Sequence, residues 1–363
     1  MPANMKDVAK KAGVSVGTVS RVINQNPTID PVLRQRVEKA IAELNYRPNT
    51  WARSLVNDVA PCISFVLSNR SFLHPVHSRI LQGVEEYCDA AEYFVLYSRL
   101  RYRRETASAE LDLPRVLRSH GIADCVILAG TNFDNLVEAL EKQQVPFVLL
   151  ANNFVTHGGR VPVDQVRWND VAGARAATEY LIELGHREIW YIGDASLPWL
   201  RAPLEGYQKA MEAHGLDPRE QIAALSDNGF LNGRASVDMI VERNLPMTAI
   251  FADAEVAYGA WEALRLHGLK VPGDVSMVVL GEQEGWSDVV PLTYVSVDLV
   301  ETGRQLAKMA IEKMKSPGAR FPEVVVPMDL IRRGTCRPQP ITKTELVEAP
   351  VTSRAPEPLS GTK

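Results

Sequence analysis

The chain has 363 residues, 46% of them apolar and 23% charged, which is the composition of a globular protein of two to three domains. No stretch approaches the ~18 apolar residues of a membrane helix, and the start lacks a basic-then-apolar leader, so the expectation is a cytoplasmic protein without a membrane partner. The net charge of −4 is unevenly spread: residues 1–57 hold nine lysines and arginines against four acids, a surplus of five, which leaves −9 on the rest.

A basic head on an acidic body fits a head that docks on phosphates. In MKDVAKKAGV the apolar residues Met5, Val8, Ala9 and Ala12 fall at i, i+3, i+4 and i+7, one face of a helix, and Gly13 ends it. Ser15 is placed to cap a second helix over 16–24, with Val19, Val22 and Ile23 on its buried face. Asp30-Pro31 starts a third, a carboxylate cap followed by proline at the first helical position, with Leu33, Val37, Ala40, Ile41 and Leu44 as its apolar stripe. Three short helices with a tight turn after the first form the pattern of a helix-turn-helix, whose second helix enters the major groove of double-stranded DNA. The outer face of that helix carries Gly17, Thr18, Ser20, Arg21 and Asn24, small or hydrogen-bonding residues where a solvated face would more often carry Glu and Lys.

The ordered blocks DVAKKAGVS, TVSRVIN, AELNYRPN and ARSL within residues 5–55 resemble the head and hinge of the lactose-repressor/galactose-repressor family. That resemblance implies a head over 1–47 and a hinge helix over 48–58. It places Thr18, Ser20, Asn24 and Tyr46 at phosphate-contacting positions, which fix register without reading sequence. Arg21 falls at the base-reading position, with guanine O6 and N7 as its acceptors. Val16 and Gly17 occupy the two variable positions that help set operator choice; for Val16, plain helix packing is the alternative. In the hinge a new helix opens at Asn49, Ala52 is small where two hinge helices meet, and Leu55 wedges into a central base step. The alternative for Leu55 is packing against the body.

From residue 61 apolar runs of strand length, over 63–68, 93–97, 124–129, 146–151, 188–193, 222–226, 248–252 and 275–280, alternate with helical stretches such as 76–90, 171–184, 206–214 and 256–267. Repeated βα units imply an α/β fold with two parallel sheets and a cleft between two lobes. AGARAATEYLIELGHREIWYIG, GLKVPGDVSMV and PLTYVSVDLVETGRQLA are similar to the family's body, which shares its fold with periplasmic sugar-binding proteins. The implied body spans 61–338, one lobe at about 61–160 and 294–325, the other at about 161–293 and 326–338. The stretch 339–363, rich in Pro, Thr, Ser and Glu without an apolar heptad, is expected to be a disordered tail, which favours a homodimer over a tetramer.

The resemblance thins at the cleft. Where an acid usually follows the fourth strand the chain has Ala151, Asn152 and Asn153; Pro203 replaces the usual arginine; and the later blocks read Ala252-Asp253-Ala254 and Gly281-Glu282. The loops still offer Trp199, Arg201, Asp253, Glu282 and Trp286 to a small-molecule effector, a sugar or another polar compound. The alternative for Arg201 and Glu282 is a surface ion pair bridging the lobes. His74 and His77 have no third ligand in view, the scattered Cys62, Cys88, Cys125 and Cys336 form no CxxC pair, and neither a metal nor a cofactor is expected. A solute-binding protein would leave the head unexplained, and an enzyme finds no Walker A, GxGxxG, GxSxG or HExxH pattern. The reading is a DNA-binding regulator, a repressor on a near-palindromic operator.

Overall fold

The computed structural model describes residues 3–24, 26–46, 62–71, 74–118, 122–156, 164–194, 196–221, 228–281 and 286–339. The expected hinge with Asn49, Ala52 and Leu55, Glu282, the strand expected over 222–226 and the tail from 340 lie outside these residues. The chain separates into two units, Met1–Pro61 and Cys62–Lys363.

The first unit holds α1 (Met5–Ala12), α2 (Val16–Ile23) and α3 (Pro31–Glu43). Each starts where a side chain satisfies otherwise orphaned backbone donors. The Asn4 side chain accepts from the N–H groups of Lys6 and Asp7, and the Asp7 carboxylate accepts from the Asn4 N–H in return. Ser15 Oγ accepts from Thr18 N–H at 3.1 Å, and Asp30 accepts from the N–H groups of Val32 and Leu33. Such caps contribute about 1 kcal/mol each. Gly13, at φ +62°, closes α1 in the left-handed conformation. Val8, Ala12, Val19, Val22, Val37 and Ala40 meet in one core, and Arg36 on α3 donates to the Ala12 carbonyl at 2.6 Å.

The second unit begins with β1 (Cys62–Ser68), α4 (Pro75–Ala90), β2 (Phe94–Leu100), α5 (Arg115–Arg118), β3 (Cys125–Gly130), β4 (Asn132–Phe133), α6 (Asp134–Lys142), β5 (Phe147–Leu150), β6 (Phe154–Val155) and β7 (Gln165–Trp168). It continues with α7 (Asp170–Glu183), β8 (Ile189–Ile192), α8 (Pro198–Ala213), β9 (Arg219–Gln221), α9 (Gly229–Glu242), β10 (Ala249–Asp253), α10 (Ala254–Leu266), β11 (Ser276–Leu280) and α11 (Trp286–Val289). β12 (Thr293–Val297), α12 (Leu299–Lys315), β13 (Val324–Val326) and β14 (Met328–Ile331) complete it.

Two six-stranded sheets result, in the orders β13-β7-β5-β3-β1-β2 and β14-β12-β11-β10-β8-β9. All pairings in them are parallel except that of β14 with β12. β1 and β3 are buried along their whole length, as central strands covered on both faces must be. In the first lobe α4 and α12 approach so closely that a Cβ on Gly303 would stand 2.0 Å from the Ile80 carbonyl oxygen.

The chain passes between the sheets after Trp168, Val297 and Val326, against borders expected at about 160, 293 and 325. β7 pairs with β5 and β13 in the first sheet, and β12 pairs with β11 in the second. No Gly or Pro marks the crossings after Trp168 and Val297, whereas Pro327 directly follows β13 at the third. The helix expected over 206–214 begins at Pro198 instead and keeps Pro203 inside it. Pro203 has no N–H for the carbonyl one turn back, while the next carbonyl, Leu200, accepts from the Tyr191 hydroxyl at 3.1 Å.

Candidate functional site

On α2 the capped first turn and the buried Val19 and Val22 fix which residues face outward. Val16, Gly17, Arg21 and Asn24 are exposed, and Thr18 and Ser20 are half-buried. Thr18 Oγ1 lies 3.0 Å from Ser15 Oγ, so the cap also orients this hydroxyl. A Cβ on Gly17 would lie 3.9 Å from Arg21 Nη2, ordinary contact, so the missing side chain leaves the guanidinium room along the helix. Val16 is 41% exposed and contributes little to the head core. Tyr46 is 9% exposed and belongs to that core, its N–H donating to the Ile41 carbonyl at 3.0 Å after the left-handed turn at Asn45.

Between the two sheets lies a cleft of about 1010 Å³. Its walls are the carboxyl ends of the parallel strands, where open α/β sheets place ligands. The first lobe contributes Asn69 and Arg70 after β1, His74 at the start of α4, and Asn152 after β5. The second contributes Asp194, Trp199, Asn232, Asp253 and Glu255. Arg70 crosses the gap: its guanidinium stacks 3.5 Å from the centre of the Trp199 ring, and its Nε donates to Thr131 Oγ1 at 3.1 Å. Burial pulls the Arg70 pKa down to about 10, partly opposed by the Glu255 carboxylate. At the floor Asn152 bridges the lobes, accepting from Trp168 N–H at 2.9 Å and donating to Asp170.

Two cleft carboxyls are held above their usual range. Burial pushes Asp253 up to about 6, against the N–H groups of Val256 and Glu255 that favour its charge as it caps α10. Burial likewise pushes Asp170 up to about 6, against the Asn152 amide and the Arg167 charge. Near neutral pH such groups accept hydrogen bonds strongly and gain from a ligand hydroxyl that replaces lost water. His74 caps α4 through Nδ1, and burial lowers the His77 pKa to about 4, so that ring packs as a neutral group. Among the described residues no three His, Cys, Asp or Glu side chains gather to hold a metal ion.

Of the residues expected at the cleft, Trp199 and Asp253 line it. Arg201 does not: it follows Trp199 by two positions, about 200° around the helix, and is exposed on the far side of α8. Trp286 does not either; its ring packs 5.2 Å from Tyr258 and 5.8 Å from Trp261, against the core of the second lobe. Arg70, Asp170 and Glu255 were not singled out by the sequence. Only Arg70 had a usable signal there, its place just after the first strand of a parallel sheet.

Residues 4–49 match the family of bacterial regulatory proteins, lacI family, and residues 178–336 match the periplasmic binding protein-like domain. The chain is 30% identical over 329 residues to the HTH-type transcriptional regulator CelR of Thermobifida fusca, covering 85% of this chain and 90% of that protein. Its fold matches the lac repressor dimer bound to operator and the anti-inducer ONPF, with a TM-score of 0.75 at 24% identity over 93% of this chain and 100% of the other. It also matches the CelR–cellobiose complex, with a TM-score of 0.64 at 25% identity over 92% and 99% of the two chains. Among the described residues no helix is long and apolar enough to cross a membrane.

Proposed function

Because the chain belongs to the lacI family of bacterial regulatory proteins, we propose that it works as a homodimeric repressor reading a near-palindromic operator under the control of a cleft-bound sugar. It is a DNA-binding transcriptional regulator. The observation that carries the reading is the exposed α2 face of Val16, Gly17, Arg21 and Asn24 on a head whose caps and core fix the helix. Arg21 reads a guanine, Val16 meets a thymine methyl, and Thr18, Ser20 and Asn24 set the register on phosphates. Asn49, Ala52 and Leu55, which lie outside the described residues, contact the centre of the operator in this reading.

The body supplies the control. Trp199 offers an aromatic face, and Asp253, Asp170 and Asn232 offer hydrogen-bonding groups, a set suited to a polyol such as the cellobiose of the CelR complex. A ligand bound between the lobes changes their angle and thereby the spacing of the two hinges, so effector and operator affinities are reciprocally linked. Dimerisation draws on exposed apolar side chains on both lobes, Phe94 and Tyr97 on β2 and Leu231 and Tyr258 on α9 and α10.

The test is selection of bound duplexes from a random DNA pool by the full chain, repeated with a panel of sugars and sugar acids. The expected outcome is a near-palindrome with a central flexible step, enriched without effector and lost with one compound. Binding that shows no salt-sensitive preference over random DNA would sink the reading.

A further inference from the structure

Behind Arg70, on the first lobe, a second pocket of about 510 Å³ opens to solvent. It is lined by Asn69, Arg70, Ser71, Arg101, Tyr102 and Arg103, three arginines and no acidic residue. The stretch 99–104, RLRYRR, holds four arginines in a body whose net charge is acidic. Like charges so close repel one another, so nothing in the stability of the lobe calls for them. Among the described residues neither Arg101 nor Arg103 pairs with an acid.

The arginines are held in place by the backbone between them. The Tyr102 N–H donates to Asn69 Oδ1 at 3.0 Å, and the Tyr102 hydroxyl accepts from Phe133 N–H at 3.0 Å. Arg101 and Arg103 are both exposed on either side of the half-buried Tyr102. Asn135 Nδ2 donates to the carbonyls of Arg103, Arg104 and Thr106, which fixes the loop beyond them. Asn69 in turn donates to the Thr131 carbonyl at 3.2 Å. A loop ordered in advance binds without the cost of ordering it.

We propose that this pocket is an oxyanion site, distinct from the cleft, in which Arg101, Arg103 and Arg70 hold a phosphate or phosphoryl group by charge-assisted hydrogen bonds. Arg70 lines both the pocket and the cleft. An anion in the pocket therefore competes with the Trp199 ring for its guanidinium and couples the two sites. The assignment stands apart from the DNA-binding reading: failure of the duplex selection leaves it untouched.

The test is calorimetric titration of the full chain with inorganic phosphate, and separately with a hexose phosphate, at constant ionic strength. Saturable phosphate binding is expected. The Arg101→Gln/Arg103→Gln double variant, which leaves the cleft intact, should bind at least about tenfold more weakly, the worth of one charge-assisted hydrogen bond or more. Arg118→Gln, a change at an exposed arginine paired with Asp112 elsewhere on the lobe, should bind as the parent does. Tighter binding of the hexose phosphate assigns the site to a phosphorylated metabolite, and equal affinity to the free oxyanion. Absence of saturable binding, or a double variant that binds like the parent, overturns the proposal.

Discussion

The recognition helix and the cleft reach function by opposite routes. On α2 the outward residues lie within nine positions of one another, and the groups that fix the helix, Ser15, Val19 and Val22, sit among them. Changing an outward side chain there leaves the fold alone. In the cleft the lining residues come from strand ends and loops scattered from Asn69 to Ile331. Several hold the structure as well: Asp253 caps α10, His74 caps α4, Asn152 ties the two lobes. Separable roles in the head and shared roles in the cleft should show up as different patterns of mutational cost.

The largest effect should come from Asp253→Asn. The folded chain keeps the Asp253 proton up to about pH 6, whereas an unfolded aspartate releases it nearer pH 4. Between those values the folded state binds more protons, so the group's contribution to stability falls as pH rises through them. Asparagine still caps the helix but carries no charge. Thermal unfolding should therefore show the variant gaining on the parent by about 3 kcal/mol between pH 4 and pH 7.5. A constant difference across that range would mean that Asp253 is not held protonated by burial, and the shared-role reading of the cleft would lose its best case.

Arg21→Ala should cost less and cost it elsewhere. Removing a bidentate base contact should weaken operator binding by about 1–3 kcal/mol and relax the preference at one base pair. The melting temperature should stay put, because Arg21 is exposed and pairs with no acid among the described residues. Matched titrations on operator and random duplexes, with a melting curve alongside, would expose any coupling between reading and folding.

Gly17→Ala is the smallest and sharpest test. A Cβ there meets only ordinary contacts, and alanine is the better helix former, so the head should gain up to about 1 kcal/mol. Duplex selection should nevertheless return an altered operator, since position 17 faces outward. A loss of stability would show that the glycine serves the fold.

Much of the head was legible because its signals are local. Ser15 and Asp30 sit next to the helices they cap, Gly13 marks the turn, and the i, i+3, i+4, i+7 spacing of Met5, Val8, Ala9 and Ala12 gives the inner face, whereas the Asn4 cap of α1 emerged only in the structure. The body's alternation of strands and helices was legible for the same reason, and most of the expected strands fall within a residue or two of their positions, while β4, β6, β7, β12, β13 and β14 were not expected as strands. β2 instead runs on to Leu100, and α8 begins at Pro198, ahead of a Pro203 that looked like a barrier.

The sequence by itself therefore determined the elements, the outward face of α2 and the alternation that makes two sheets, because caps, turns and periodicity act over a few residues. The tertiary structure decided where the chain changes lobes, that Arg70 crosses to Trp199, that Trp286 joins the core of the second lobe, and that Arg70, Arg101 and Arg103 share one pocket. Those outcomes depend on strand order and on which loops the sheets bring together. Burial then sets the charge of Asp170 and Asp253, and the dielectric surroundings of a side chain exist only once the chain has folded.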